Sequence, residues 1–107
     1  MLRDTLISRT LLAALAALLM SVSARGETAE DFFRNKQISL VIGYNPGGTY
    51  DLYSRLAATL LPRYIPGHPT IVPKNMPGVG SIKAANYLFG QAPKDGLTIG
   101  MIGRNWR

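Results

Sequence analysis

Two apolar runs rich in β-branched residues each stop at a glycine- and proline-rich break and then pass into an amphipathic segment. The first covers residues 38–44 (Ile-Ser-Leu-Val-Ile-Gly-Tyr) and stops at Asn45-Pro46-Gly47-Gly48. The second covers residues 70–74, with Pro73 in its weaker part, and stops at Asn75-Met76-Pro77-Gly78-Val79-Gly80. A third, residues 97–102, follows the turn Ala92-Pro93-Lys94-Asp95-Gly96. Near-continuous apolarity over so few residues is the pattern of a strand covered on both faces. Strand and helix signals thus alternate as β–α–β–α–β. That order predicts an α/β fold with a parallel sheet and right-handed crossovers.

The helical segments carry their own signals. Thr28 is placed to cap a short turn over residues 28–35, with Glu30 and Asp31 in its first turn and Phe32 and Phe33 as core candidates. Thr49 is the expected cap of a helix over residues 50–61. In that helix Leu52, Leu56 and Leu60 recur at i, i+4 and i+8, and Tyr53, Ala57 and Leu61 widen the stripe. This pattern predicts a buried leucine face. Asp51 and Arg55 stand four apart and are placed to pair. A second helix is expected over residues 81–89, with Ile82, Ala85 and Phe89 inward and Gly90 as its stop. Three strands leave two open edges and little core, so the expectation is a truncated piece of a longer α/β protein.

Ahead of this lies a different composition. Arg3 and Arg9 precede an unbroken apolar run of ten, residues 11–20, and then Ser21-Val22-Ser23-Ala24. Ten apolar residues are too few to cross about 30 Å of hydrocarbon. A positive start, an apolar middle and a small-residue end are the order of a secretory signal peptide. Residues 1–24 are read as that leader, with cleavage after Ala24, and residues 25–107 as the exported domain in a bacterial periplasm. Export of a chain without cysteine fits that compartment. Zero cysteine also excludes a disulfide scaffold, a thiolate metal site and a cysteine nucleophile. The single histidine, His68, sits in Pro66-Gly67-His68-Pro69, a surface turn expected on the far side of the sheet. No metal site and no catalytic residue are expected. The chain carries a formal net charge of +6, but its basic residues are scattered without an interleaved aromatic stripe. Nucleic-acid binding is therefore not expected.

The chemistry is concentrated in the two glycine loops. Each leaves a strand and enters a helix, whose first turn presents unpaired N–H groups and about half a positive charge. Glycine removes the Cβ that would hold a ligand off the backbone. At the carboxyl ends of neighbouring parallel strands the two loops face one crevice. The ligand suited to it is an anion. Gly47-Gly48 is not followed by Lys-Ser or Lys-Thr, so it is not a nucleotide P-loop. Gly78-x-Gly80 is followed by Lys83 where a dinucleotide fingerprint has a third glycine. A nucleotide- or dinucleotide-binding enzyme half-domain stays open as the alternative, as does a nonfunctional truncated gene product. Asp51 is the one carboxylate near the loops, so acid–base chemistry by paired carboxylates lacks a second member.

At these loops the sequence resembles the periplasmic substrate-binding receptors of tripartite tricarboxylate transporters, the Bug or TctC type. The resemblance rests on Pro46-Gly47-Gly48-Thr49-Tyr50-Asp51, on Asn75-Met76-Pro77-Gly78-Val79-Gly80, and on Ala92-Pro93-Lys94-Asp95-Gly96 before an apolar strand. It implies part of a type II periplasmic-binding-protein-like domain, three layers deep, with a second domain and hinge outside this chain. It also implies a binding protein rather than an enzyme. The ligand would be a small di- or tricarboxylate, with no cofactor. Membrane transporter subunits are the implied partners of a full-length receptor. The implied ligand-binding residues are Gly47, Gly48, Thr49, Asp51, Asn75, Gly78, Val79, Gly80 and Ser81. Thr49 departs from the pattern, standing where the first loop usually has a third glycine and adding a hydroxyl beside the ligand.

Overall fold

A computed structural model describes residues 2–21 and 26–104. The expected leader cleavage after Ala24 and the final residues 105–107 lie outside the described residues. The chain forms α1 (Leu2–Ser21), α2 (Ala29–Phe33), β1 (Gln37–Ile42), α3 (Thr49–Leu60), β2 (Thr70–Asn75), α4 (Ile82–Gly90) and β3 (Thr98–Met101). Short 3₁₀ turns lie at Leu61–Arg63 and Val79–Ser81. Helix α1 exposes its side chains along residues 2–19. No helix among the described residues is long and apolar enough to cross a membrane.

The strands form one parallel sheet in the order β2-β1-β3. Ile42 at the end of β1 stands opposite Asn75 on one side and Met101 on the other. Pro73 lies in β2, an edge strand, where its missing N–H costs least. Because strand side chains alternate, β1 feeds two cores. Ile38, Leu40 and Ile42 share one face with Ile71, covered by Ala58 of α3, Ile65 and Phe33 of α2. On the other face Gly43 meets Ser81 and Ala84, and Gly100 meets Leu88 of α4. The alternating α/β order with a parallel sheet expected from the sequence is therefore present. Thr28 caps α2 as expected, its hydroxyl accepting the Asp31 N–H at 3.1 Å.

Helices α3 and α4, however, sit on the sheet with a different face from the one their periodicity predicts. In α3 the residues turned inward are Asp51, Ser54 and Ala58. Leu52 is 67% exposed and Leu56 51%. Leu60, Tyr53 and Leu61 are exposed too. In α4 the inward residues are Ala84 and Leu88, continuing from buried Ser81, while Ile82 is exposed and Phe89 is 89% exposed. The physical reason is close approach. Ser54 and Ala84 are small enough to bring helix backbone down onto the sheet, and Gly43 lets Ser81 and Ala84 do so directly above β1. A leucine row would hold each helix further away.

Two expectations about helix ends are also corrected. Thr49 is the first residue of α3 rather than its cap; Gly48, in extended conformation, holds the cap position without a side-chain bond. Gly90 is the last helical residue of α4, not a left-handed stop, and Gln91 follows as the cap.

The contrast between two glycines tests this packing. A Cβ at Gly43 would collide with the Cβ of Ser81 and stand 3.0 Å from its Cα, whereas one at Gly90 meets nothing within 4 Å. Gly43→Ala is expected to cost about 1–3 kcal/mol in urea unfolding. Gly90→Ala is expected to raise stability by about 0.5–1 kcal/mol.

Candidate functional site

The first loop leaves β1 at Gly43 and reaches the start of α3 at Thr49. Two side chains hold it, Asp51 from α3 and Asn75 from β2. Asp51, 4% exposed, accepts the Gly47 N–H at Oδ2 (2.9 Å) and the Asn75 amide at Oδ1 (2.9 Å). The Arg55 Nε, one helical turn on, donates to both oxygens at 3.0 and 3.1 Å. Gly47 takes φ +93°, a left-handed conformation that favours glycine and turns its N–H toward Asp51.

Asn75 ends β2 and reaches across to the first loop. Its amide nitrogen donates to the Tyr44 carbonyl at 2.9 Å as well as to Asp51, and its oxygen accepts from Arg55 Nη2 at 2.9 Å. Asp51, Asn75 and Arg55 thus form a closed triangle that ties the ends of β1 and β2 to the first turn of α3. The Gly47 N–H, the Asn75 amide and Arg55 hold the Asp51 carboxyl below the usual aspartate range, against the opposing effect of burial.

The second loop is shaped differently. Gly78 has φ +150°, and Val79, Gly80 and Ser81 follow at +49°, +55° and +74°. Three left-handed residues in succession, one of them β-branched, are strained backbone. Ser81 is fully buried, and its hydroxyl accepts the Gly103 N–H at 2.8 Å. With the Met76 N–H on the Ile42 carbonyl (2.7 Å), both loops are fixed at the carboxyl end of the sheet. His68 lies at the other end, ahead of β2, with Nδ1 2.9 Å from the Pro62 carbonyl.

The candidate residues therefore divide. The Gly47 N–H and the side chains of Asp51, Asn75 and Ser81 are spent inside the protein. Gly48 and Thr49 open α3, where the first N–H groups have no acceptor within the helix. Val79 and Gly80 are exposed at the bend of the second loop. What the site can do is hold a negative group by backbone amides. Among the described residues no group of three or more acidic or histidine side chains is placed to hold a metal ion.

Two features escaped the sequence reading. Tyr44 and Tyr50 stack at 4.4 Å between centroids and 9° between planes, bridging the base of the first loop. The signal was their placement on either side of the Asn-Pro-Gly-Gly-Thr segment, which neither helical nor strand periodicity picks out. The other is the reach of Arg55 to Asn75, twenty residues on in sequence.

Similarity to known proteins extends over most of the chain. It is 34% identical over 100 residues, 94% of its length, to "UPF0065 protein in gbd 5'region" of Cupriavidus necator. Over most of its length the chain is similar to a UPF0065 protein. A second relative, a UPF0065 protein of Bordetella pertussis, is 35% identical over 94 residues, 88% of the chain. The chain spans 30% and 27% of the length of these two UPF0065 proteins. No protein-family model matches the chain, and no solved structure matches it.

The lowered Asp51 pKa gives the clamp a pH signature. A carboxyl more acidic in the folded than in the unfolded chain stabilises fully above the unfolded value of about 3.9. That contribution is lost as pH falls through the lower folded value. Asp51→Asn is expected to be less stable than the parent near neutrality and to show a flatter acid limb, as read from urea midpoints below about pH 5.

Proposed function

We propose that this chain supplies one wall of the ligand site of a periplasmic solute-binding receptor of the Bug/TctC type. In this reading it captures an organic acid and does not transform it. The observation that carries the proposal is the Asp51–Asn75–Arg55 triangle, which sets two helix-entering glycine loops side by side and leaves backbone amides as their open donors. Similarity to UPF0065 proteins over most of the chain supports the same reading.

The binding groups proposed are the N–H groups of Gly48 and Thr49 on the first loop and of Val79 and Gly80 on the second. Gly47, Gly78, Asp51, Asn75 and Ser81 shape the loops. A carboxylate placed between them meets the N-terminus of α3 and the amides of the bend ahead of α4, and no fixed negative charge left unpaired, because Asp51 pairs with Arg55. The Thr49 hydroxyl, on an exposed residue, adds a donor. The ligand class is a di- or tricarboxylate. The proposed partners of the complete receptor are the membrane subunits of a tripartite tricarboxylate transporter. Export is proposed through residues 1–24.

The test begins with the protein recovered from periplasmic extract, expected to start at Arg25. Titrated with citrate or succinate, it is expected to show amide resonance shifts at Gly48, Thr49 and Gly80 in the millimolar range, since backbone amides on one wall bind weakly. Shifts that leave both loops untouched contradict the proposal.

A further inference from the structure

We propose that a cavity of about 430 Å³ on the flank of α4 is a second ligand site, built for a small organic monoanion with an apolar body. Its size lies within the range of about 300–1,000 Å³ usual for small-molecule sites. Met76 and the outward-turned Val79 form apolar wall at the loop end. Lys83, Tyr87 and Gln91 recur at i, i+4 and i+8 along one side of α4, with Asn86 between them. Of the first-loop residues, none lines this cavity.

The polar side chains here differ from those at the two loops. Asp51, Asn75, Arg55 and Ser81 are engaged with other protein groups. The side chains of Lys83, Asn86, Tyr87 and Gln91 make no hydrogen bond or ion pair among the described residues, although they converge on one concavity. Lys83 is the single ionised group on the lining, and no acidic residue joins it. Its aliphatic stem lies against Gly78, where an added Cβ would stand 3.1 Å from it. That glycine lets the stem rest at the loop end of the cavity.

The charge balance selects the ligand. One cation without a counter-ion is matched by one negative group, which the neutral amides and the phenol also serve by hydrogen bonding. A second ionised group would find no partner on this lining, where Lys83 is the one cation. The apolar wall and the flat Tyr87 ring suit an aromatic or branched body, and the flexible thioether of Met76 adapts to its outline. The cavity adjoins the second loop through Met76 and Val79 but uses side chains of α4 rather than loop amides, includes no first-loop residue, and takes a different ligand charge.

The experiment uses the full 107-residue chain, isotopically labelled, with phenylacetate as probe and phenylacetamide as its uncharged counterpart. Phenylacetate is expected to shift the amide resonances of residues 83–91, with phenylacetamide weaker by about tenfold or more. Lys83→Gln is expected to weaken phenylacetate by about the same factor with the rest of the spectrum unchanged. Asn86→Asp, which adds a negative charge to an exposed position, is expected to weaken phenylacetate and spare phenylacetamide, and decides the matter should Lys83→Gln fail to fold. Equal binding of acid and amide, shifts confined to residues 47–51, or affinities that ignore both variants overturn the proposal.

Discussion

One buried carboxylate sets the geometry of this fold at the carboxyl end of its sheet. Asp51 lies in the first turn of α3, yet its partners come from three places: the Gly47 N–H before the helix, Arg55 within it, and Asn75 at the end of the neighbouring strand. A group with so many directional bonds cannot rotate, and neither can the helix that carries it. Once Asp51 points toward Asn75, Ser54 and Ala58 follow it onto the sheet at i+3 and i+7. The leucines that share α3 are then carried to the outside. The exposed apolar stripe is thus a consequence of the polar clamp.

The same logic explains which parts of the structure were legible in the sequence. The three strands announced themselves because β1 is buried from both faces and reads as an unbroken apolar run, and the glycine breaks fall where the strands end. Parallel pairing followed from the alternation of elements. The Asp51–Arg55 pair was visible from its spacing. The rotation of α3 and α4 was not, because periodicity assumes that the largest apolar residues face the core. Here the decisive contacts are between small groups, Ser81 and Ala84 over Gly43, and between polar ones that lie far apart in the chain. Asn75 looked like a loop residue. Its bonds to Tyr44 and Arg55 depend on strand register, which no local pattern displays.

The candidate site shows a division of labour with a simple physical basis. Side chains near the loops are consumed in building them, and backbone is left to face outward. Buried polar side chains that satisfy one another hold a loop rigid, while a row of amides at a helix start offers a fixed positive potential to whatever anion fits between. The strained run Val79-Gly80-Ser81 belongs to the same arrangement, because its left-handed turns bury the Ser81 hydroxyl against Gly103 and turn Val79 outward.

The side-by-side placement of the loops requires that Asp51 and Asn75 act as one unit. A double-mutant cycle measures this directly, with Asp51→Ala, Asn75→Ala and the double variant compared by urea midpoint against the parent chain. If the clamp ties the two strand ends together, the double variant falls no further than the worse single variant. A drop equal to the sum of the two single effects would show that each side chain acts alone, and that the loops are held side by side by something else.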